Sequence, residues 1–232
     1  MLMFKEAFEF FLNPETQTKK IIAKADFKQA LFNINLIPFI LAVLLGLLVS
    51  IASLVISPLM SMMGTAINAN PFIPVLLSIG AWAIVLFPIA SLVFVSVSSI
   101  VSTWILCLVI KLFGKEVSFL KVYYAMSVLD LALLSILIPG YIIAILLMLI
   151  PFLGVILYFV ILALIYAVAM YSMYVWWVIF KQLTGFDNIK MIKVLAGYIV
   201  AAIIILIIIL IIVVMIIILL MGPTLAQTGF LD

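Results

Sequence analysis

Polar and apolar positions segregate along this chain on the scale of whole helices. A polar, lysine-bearing leader gives way near Leu36 to five long apolar segments, at residues 36–56, 79–110, 122–149, 152–180 and 194–221. A helix needs about 20 apolar residues to cross about 30 Å of hydrocarbon, and each segment meets that length. Ser57 and Pro58 close the first, ahead of an outer loop whose Asn68, Asn70, Pro71 and Pro74 are turn formers. The second is too long for an upright helix, and Pro88 is expected to kink it. Between Val122 and Phe180 two spans share one apolar run. A turn at Pro151 and Gly154 divides that run evenly, whereas a turn at Pro139 and Gly140 leaves a short third span, so Pro139 reads as a kink. The fifth segment is almost uninterrupted isoleucine, leucine and valine from Ile203 to Leu220, closed by Gly222 and Pro223, and is expected to face lipid.

The leader carries its own pattern. Phe4, Phe8 and Phe11 recur at helical spacing, with Lys5, Glu6 and Glu9 on the other side, which predicts an interfacial helix. Asn13 reads as an N-cap and Pro14 as the first position of a second helix, in which Ile21, Ile22 and Ala25 oppose lysines. Two roles fit: resting on anionic headgroups, or also presenting a face to a partner. The fold class is therefore all-α, a polytopic membrane protein of five transmembrane helices. A cytoplasmic amphipathic leader (1–34) precedes the five-span domain (35–222), and a short external tail (223–232) follows it.

Charge fixes the expected orientation. All 11 cationic side chains are lysines. Lys5, Lys19, Lys20, Lys24 and Lys28 precede the first span, Lys111, Lys115 and Lys121 follow the second, and Lys181, Lys190 and Lys193 follow the fourth. With five spans these groups share one side, which the positive-inside bias assigns to the cytoplasm; the carboxyl terminus then lies outside. Six spans would put the middle group opposite the first. Tyr123, Tyr124, Tyr174, Trp176, Trp177 and Tyr198 flank the lysine-bearing loops, as expected for aromatics at a membrane interface, with Trp82 and Trp104 at the two ends of the second span.

Composition narrows the chemistry. With 70% apolar and 8% charged residues the chain lacks the polar surface of a soluble globule. The leader has no short apolar core ending in a small-residue cleavage site, so an uncleaved leader is expected. A single Cys107 and no histidine leave no disulfide framework and speak against zinc or haem; no cofactor or metal is expected. Paired intramembrane carboxylates, glycine-rich phosphate loops and arginine clamps are all missing from the sequence, and a net charge of +3 placed as topology demands gives no support for nucleic-acid binding. The expectation is a protein that is not an enzyme.

Asp130 is the one ionisable residue placed inside the hydrocarbon. A central aspartate costs about 2.5 to 3.5 kcal/mol on insertion scales, so it should face the bundle and be protonated, hydrogen-bonded or hydrated. Ser91, Ser98 and Ser102, with Ser99 and Thr103 beside them, form a polar stripe on the second span that would face it. This set reads either as interhelical glue or as a proton or cation site. Ala42, Gly46 and Ser50 form a small-residue ridge for close helix approach, and Cys107 reads as a packed, inert thiol.

Several segments together resemble the Yip family, five-span proteins associated with Rab GTPases in vesicle traffic, and its prokaryotic members in particular. The resemblance rests on Asn13-Pro14-Glu15-Thr16 ahead of Ile21, Ile22 and Ala30-Leu31. It continues through Lys111, Gly114, Lys115 and Lys121 to the pair Tyr124-Ala125, and through Ile150-Pro151-Phe152-Leu153-Gly154. It ends with Thr184-Gly185, Ile189-Lys190 and Lys193-Val194-Leu195-Ala196. Val128, Leu129 and Asp130 stand where the family often has a proline. The resemblance implies the five-span fold, a cytoplasmic amino terminus and a noncatalytic, trafficking-like scaffold or adaptor. Its leader and loops would recruit a cytoplasmic partner such as a small GTPase, or another copy in a homo-oligomer, and organise the lipid bilayer. Lys19, Lys20, Lys24, Lys28, Lys111, Lys115 and Lys121 are the candidate partner or headgroup surface. The alternative is a small transporter or channel component built on Asp130.

Overall fold

The computed structural model describes residues 2–62, 72–147, 150 and 153–227. Within them the chain forms seven helices: α1 (Leu2–Leu12), α2 (Pro14–Ala23), α3 (Phe27–Met62), α4 (Phe72–Leu112), α5 (Phe119–Leu147), α6 (Leu153–Thr184) and α7 (Asn188–Gln227). The five long ones each contain a stretch apolar enough to cross a bilayer: Phe27–Leu54, Trp82–Leu112, Phe119–Leu147, Gly154–Thr184 and Asn188–Met215. The protein is therefore a five-span helical membrane protein. Asn68, Asn70 and Pro71, Pro151, and residues 228–232 lie outside the described residues.

The helices overrun the apolar segments because their ends are capped by polar residues further out. α3 begins at Phe27, not near Leu36, since the Asp26 carboxylate accepts the amides of Lys28 (3.2 Å) and Gln29 (3.4 Å). Asp187 does the same for α7, accepting the Lys190 amide at 3.1 Å. α2 begins at Pro14 after Asn13, but the Asn13 side chain makes no capping bond; Thr16 and Thr18 bond back to the carbonyls of Asn13 and Pro14. Pro88 and Pro139 both lie inside continuous helices, and α7 runs on through Gly222 and Pro223. The third hairpin falls between Leu147 and Leu153. A side chain at Gly154 would collide with the Leu147 carbonyl, so only glycine closes the turn.

α5 is the hub, packing against α3, α4 and α6 as well as both leader helices, while the broadest helix pair is α3 with α4. The small-residue ridge sits at that contact: a Cβ on Gly46 would lie 2.8 Å from the Ile84 Cα. α7 touches only α4 and α6 to any extent, and none of its most apolar stretch is buried. Apart from Ile205, which packs on the core, its isoleucines and leucines from Ile203 to Met215 point outward, as a lipid-facing surface does.

The leader turns Phe11 of its Phe4–Phe8–Phe11 face into the bundle. It docks on the bundle through Ala7, Phe10 and Phe11, which are buried with Tyr123, Tyr124 and Val128 of α5 and Val175 and Ile179 of α6, leaving Phe4 and Phe8 exposed. Tyr123 (0% exposed) and Tyr124 (1%) are consequently core residues beneath the leader rather than a membrane-interface belt. Phe27 and Phe119 stack on Tyr123, each at 5.5 Å between centroids. Polar bonds fasten the same contact. Lys24 Nζ donates to Glu6 Oε1 at 2.8 Å, Gln182 Nε2 to the Glu15 carbonyl at 2.8 Å, and the Tyr174 hydroxyl to Glu15 Oε1 at 3.1 Å.

Both lysine-bearing connections turn on glycines in the left-handed region, Gly114 (φ 88°) after α4 and Gly185 (φ 65°) after α6. Lys115 Nζ reaches the Gly185 position, and α2, the 113–118 connection and the end of α6 line one recess. The leader and the two lysine-bearing connections thus share one end of the bundle, where the buried core is also concentrated.

Candidate functional site

A cavity of about 550 Å³ lies between α4, α5, α6 and α7, with Ile34 of α3 also in its wall, and Asp130 opens into it. Its position on α5 is nine residues beyond Lys121, about 13 Å along the helix. The residues before it on α5 are buried against α3 and the leader, which fixes the helix rotation that turns Asp130 towards the cavity. Most of the lining is apolar, including Leu106, Leu129 and Leu133, and the Trp176 and Trp177 side chains close one wall. Met173 (67% exposed) and Ile199 (50%) stand at its edge on the outer surfaces of α6 and α7, so the cavity borders the lipid-facing surface.

The hydroxyls of this cavity come from three helices. Ser99, Ser102 and Thr103 belong to α4, Ser172 to α6 and Tyr198 to α7. Ser102 Oγ and the Tyr198 hydroxyl are 2.6 Å apart and form a polar tie between α4 and α7. Ser99 Oγ donates to the Ser96 carbonyl (3.0 Å) and lies 3.3 Å from the Tyr123 hydroxyl. Ser172 Oγ donates to the Ala169 carbonyl at 2.6 Å. No hydrogen bond or ion pair engages Asp130 among the described residues, and no lysine lines its cavity.

Of the predicted stripe, Ser102 shares the cavity with Asp130, whereas Ser91 and Ser98 do not line it. Ser98 is exposed and bonds back to the Val95 carbonyl at 3.1 Å. A helix advances 100° per residue, so Ser91 and Ser98 lie within about 40° of Ser102 on one side while Ser99, Thr103 and Leu106 lie on its other side, and it is that other side of α4 that lines the cavity. The sequence reading missed Ser172, and it took Tyr198, Trp176 and Trp177 for interface aromatics. For the three on α6 the signal is a polar or amphipathic group recurring at i, i+4 and i+5, at Ser172, Trp176 and Trp177; Tyr198 on α7 has no such pattern.

The candidate lysines spread over the other face of this end. Lys19 and Lys121 line a recess of about 420 Å³ with Glu116 and Gln182. Lys111 pairs with Glu116 at 2.7 Å, which holds the Glu116 carboxyl below the usual range, and the hydrogen bond from Lys24 to Glu6 raises the Lys24 ammonium. Lys20 and Lys115 are exposed. Lys28 lies at a groove of about 560 Å³ between α3 and α4, beside Asn35, whose Nδ2 donates to Ser96 Oγ at 2.9 Å. Asn35 Oδ1 and Asn33 Oδ1 are buried without a partner among the described residues. No family model, curated protein or solved structure matches the chain, so the site is read on its own chemistry.

Proposed function

We propose that this protein is a noncatalytic integral membrane scaffold or adaptor of the Yip type, with its lysine-bearing end in the cytoplasm. The observation that carries the reading is the docked leader. Because α1 and α2 are packed onto α5 and α6, Lys19 of the leader and Lys121 of α5 line one recess, with Lys20 exposed next in sequence to Lys19, instead of standing on a loose tail. Fixed cations lose less conformational freedom when they engage an acidic partner, so recruitment gains affinity through preorganisation. The order of the Yip-like motifs supports the same reading, with a small GTPase as one such partner.

The test is purification in native lipid with mass spectrometry of retained proteins, comparing the unaltered chain with Lys19→Glu/Lys20→Glu/Lys121→Glu. These side chains are exposed or line the recess rather than the core, so the fold should persist. A partner retained by the first and lost by the second is the expected result; identical retained sets would remove the reading.

A second reading, a small transporter or channel component, is favoured by one observation: Asp130 faces a cavity within the spans instead of a helix contact. Flux in proteoliposomes that survives Asp130→Asn unchanged would discard it.

A further inference from the structure

We propose that the Asp130 cavity is a binding site for a lipophilic primary ammonium ion, one with N–H donors and an apolar body, taken up sideways from the bilayer. The inference deepens the second reading above but needs binding only, not transport.

The donor and acceptor inventory selects the class. Ser99 and Ser172 each spend their hydroxyl proton on a backbone carbonyl of their own helix, so towards the cavity they offer lone pairs. Ser102 and Tyr198 spend one of their two protons on each other. Together with the carboxyl of Asp130, which has no partner among the described residues, these lone pairs gather acceptors around one acidic group, Thr103 and the indoles of Trp176 and Trp177 being the other polar groups of the lining. A neutral hydrocarbon would leave those acceptors unmet, and an anion would face the carboxylate. An ammonium supplies several N–H donors and the missing positive charge at once.

The rest of the lining suits a bare metal cation less well. Such an ion is held by several charged or carbonyl oxygens, whereas Asp130 is the one carboxylate here and the other lining oxygens are hydroxyls, most of them already hydrogen-bonded. The same wall, with Trp176 and Trp177 in it, suits the apolar body of an organic cation. Access follows from the edge of the site: Met173 and Ile199 are lipid-facing, and α7 beside them is held by few contacts. An amphipathic amine already partitioned in the bilayer therefore meets the cavity laterally.

The experiment uses the full chain in phosphatidylcholine nanodiscs with Trp82→Phe/Trp104→Phe, which leaves Trp176 and Trp177 as the only tryptophans. Quenching by bromododecylammonium is compared with quenching by bromododecanol, which has the same chain and no charge. Saturable quenching by the amine, with the alcohol about tenfold weaker or more, is expected from one hydrogen bond to a charged group. Asp130→Asn should bring the amine down to the alcohol, while Asp130→Glu keeps the preference. Equal quenching by amine and alcohol overturns the proposal, as does a folded Asp130→Asn protein that keeps the preference. Should Asp130→Asn fail to fold, the comparison of amine with alcohol in the Asp130 and Asp130→Glu proteins decides alone. Amine binding without flux would leave this inference standing and remove only the transport reading.

Discussion

Gly46 sets the separation of α3 and α4, because a single added carbon would meet backbone on both sides of Ala83 and Ile84. Backbone cannot swing aside as a side-chain tip can. Gly46→Ala should therefore cost about 1–3 kcal/mol by overpacking, read as a fall in Tm of the purified protein. Gly114 offers the control: it has open space around it, so Gly114→Ala pays only for its positive φ, about 1–2 kcal/mol, and leaves the α3–α4 contact intact. Crosslinking across α3 and α4 separates the two, falling in the first variant only. A third residue-scale expectation concerns acid. The Lys111–Glu116 pair depresses the Glu116 carboxyl from its ordinary 4.5, so its contribution is complete above that value and is lost as pH falls through the lowered one. Both side chains are exposed, so the effect is small. The Tm difference between the unaltered protein and Glu116→Gln should be constant from neutral pH down to the ordinary carboxylate value, decline below it and vanish once pH is below the lowered one.

At the scale of elements the leader is the separable unit. Phe10 is fully buried between it and the bundle, and Phe→Ala in a packed site costs about 3–5 kcal/mol. Much of that loss should appear as undocking of α1 and α2, because the five spans keep their own contacts. Phe10→Ala is thus expected to raise amide exchange in residues 14–24 and at Tyr123 and Tyr124 while leaving exchange in α6 little changed. Phe8→Ala, at an exposed position, should do neither. The leader also shows where sequence reading stops. Helical spacing disclosed α1 and Asn13-Pro14 disclosed the start of α2, but α1 carries aromatics on two faces. Which face docks is decided by Tyr123 and Tyr124, over a hundred positions away, and no local pattern encodes that choice. The Asp130 cavity was legible in the same partial way. The cost of a buried carboxyl marked Asp130 from sequence, and Ser102 followed from periodicity on α4. Ser172 and Tyr198 join it only through the packing of α6 and α7. Apolar lengths found all five spans, whereas their true ends depend on Asp26 and Asp187, caps that hydropathy alone does not register.

The whole molecule is asymmetric from end to end. Its leader and two lysine-bearing connections converge on one end, tied by Gln182 to Glu15 and by the approach of Lys115 to Gly185. The buried core lies there too, while the distal parts of α6 and α7 expose apolar side chains to lipid. The positive-inside bias counts cations near the ends of spans, and carboxylates contribute little to it. Glu6, Glu9, Glu15, Asp26, Glu116 and Asp187 therefore do not cancel the lysines beside them. Since all 11 cations fall on one side of a five-span bundle, every connection votes for the same orientation, and no lysine elsewhere opposes it. A protein so biased should insert in a single orientation. With Cys107→Ser as background, Lys20→Cys and Lys190→Cys should react with a membrane-impermeant maleimide only after the membrane is opened, and Ala226→Cys before it. Labelling of Lys20→Cys and Lys190→Cys on opposite sides would contradict the convergence of the three lysine segments. Labelling of both from outside, with Ala226→Cys protected, would keep the fold and invert the proposed orientation.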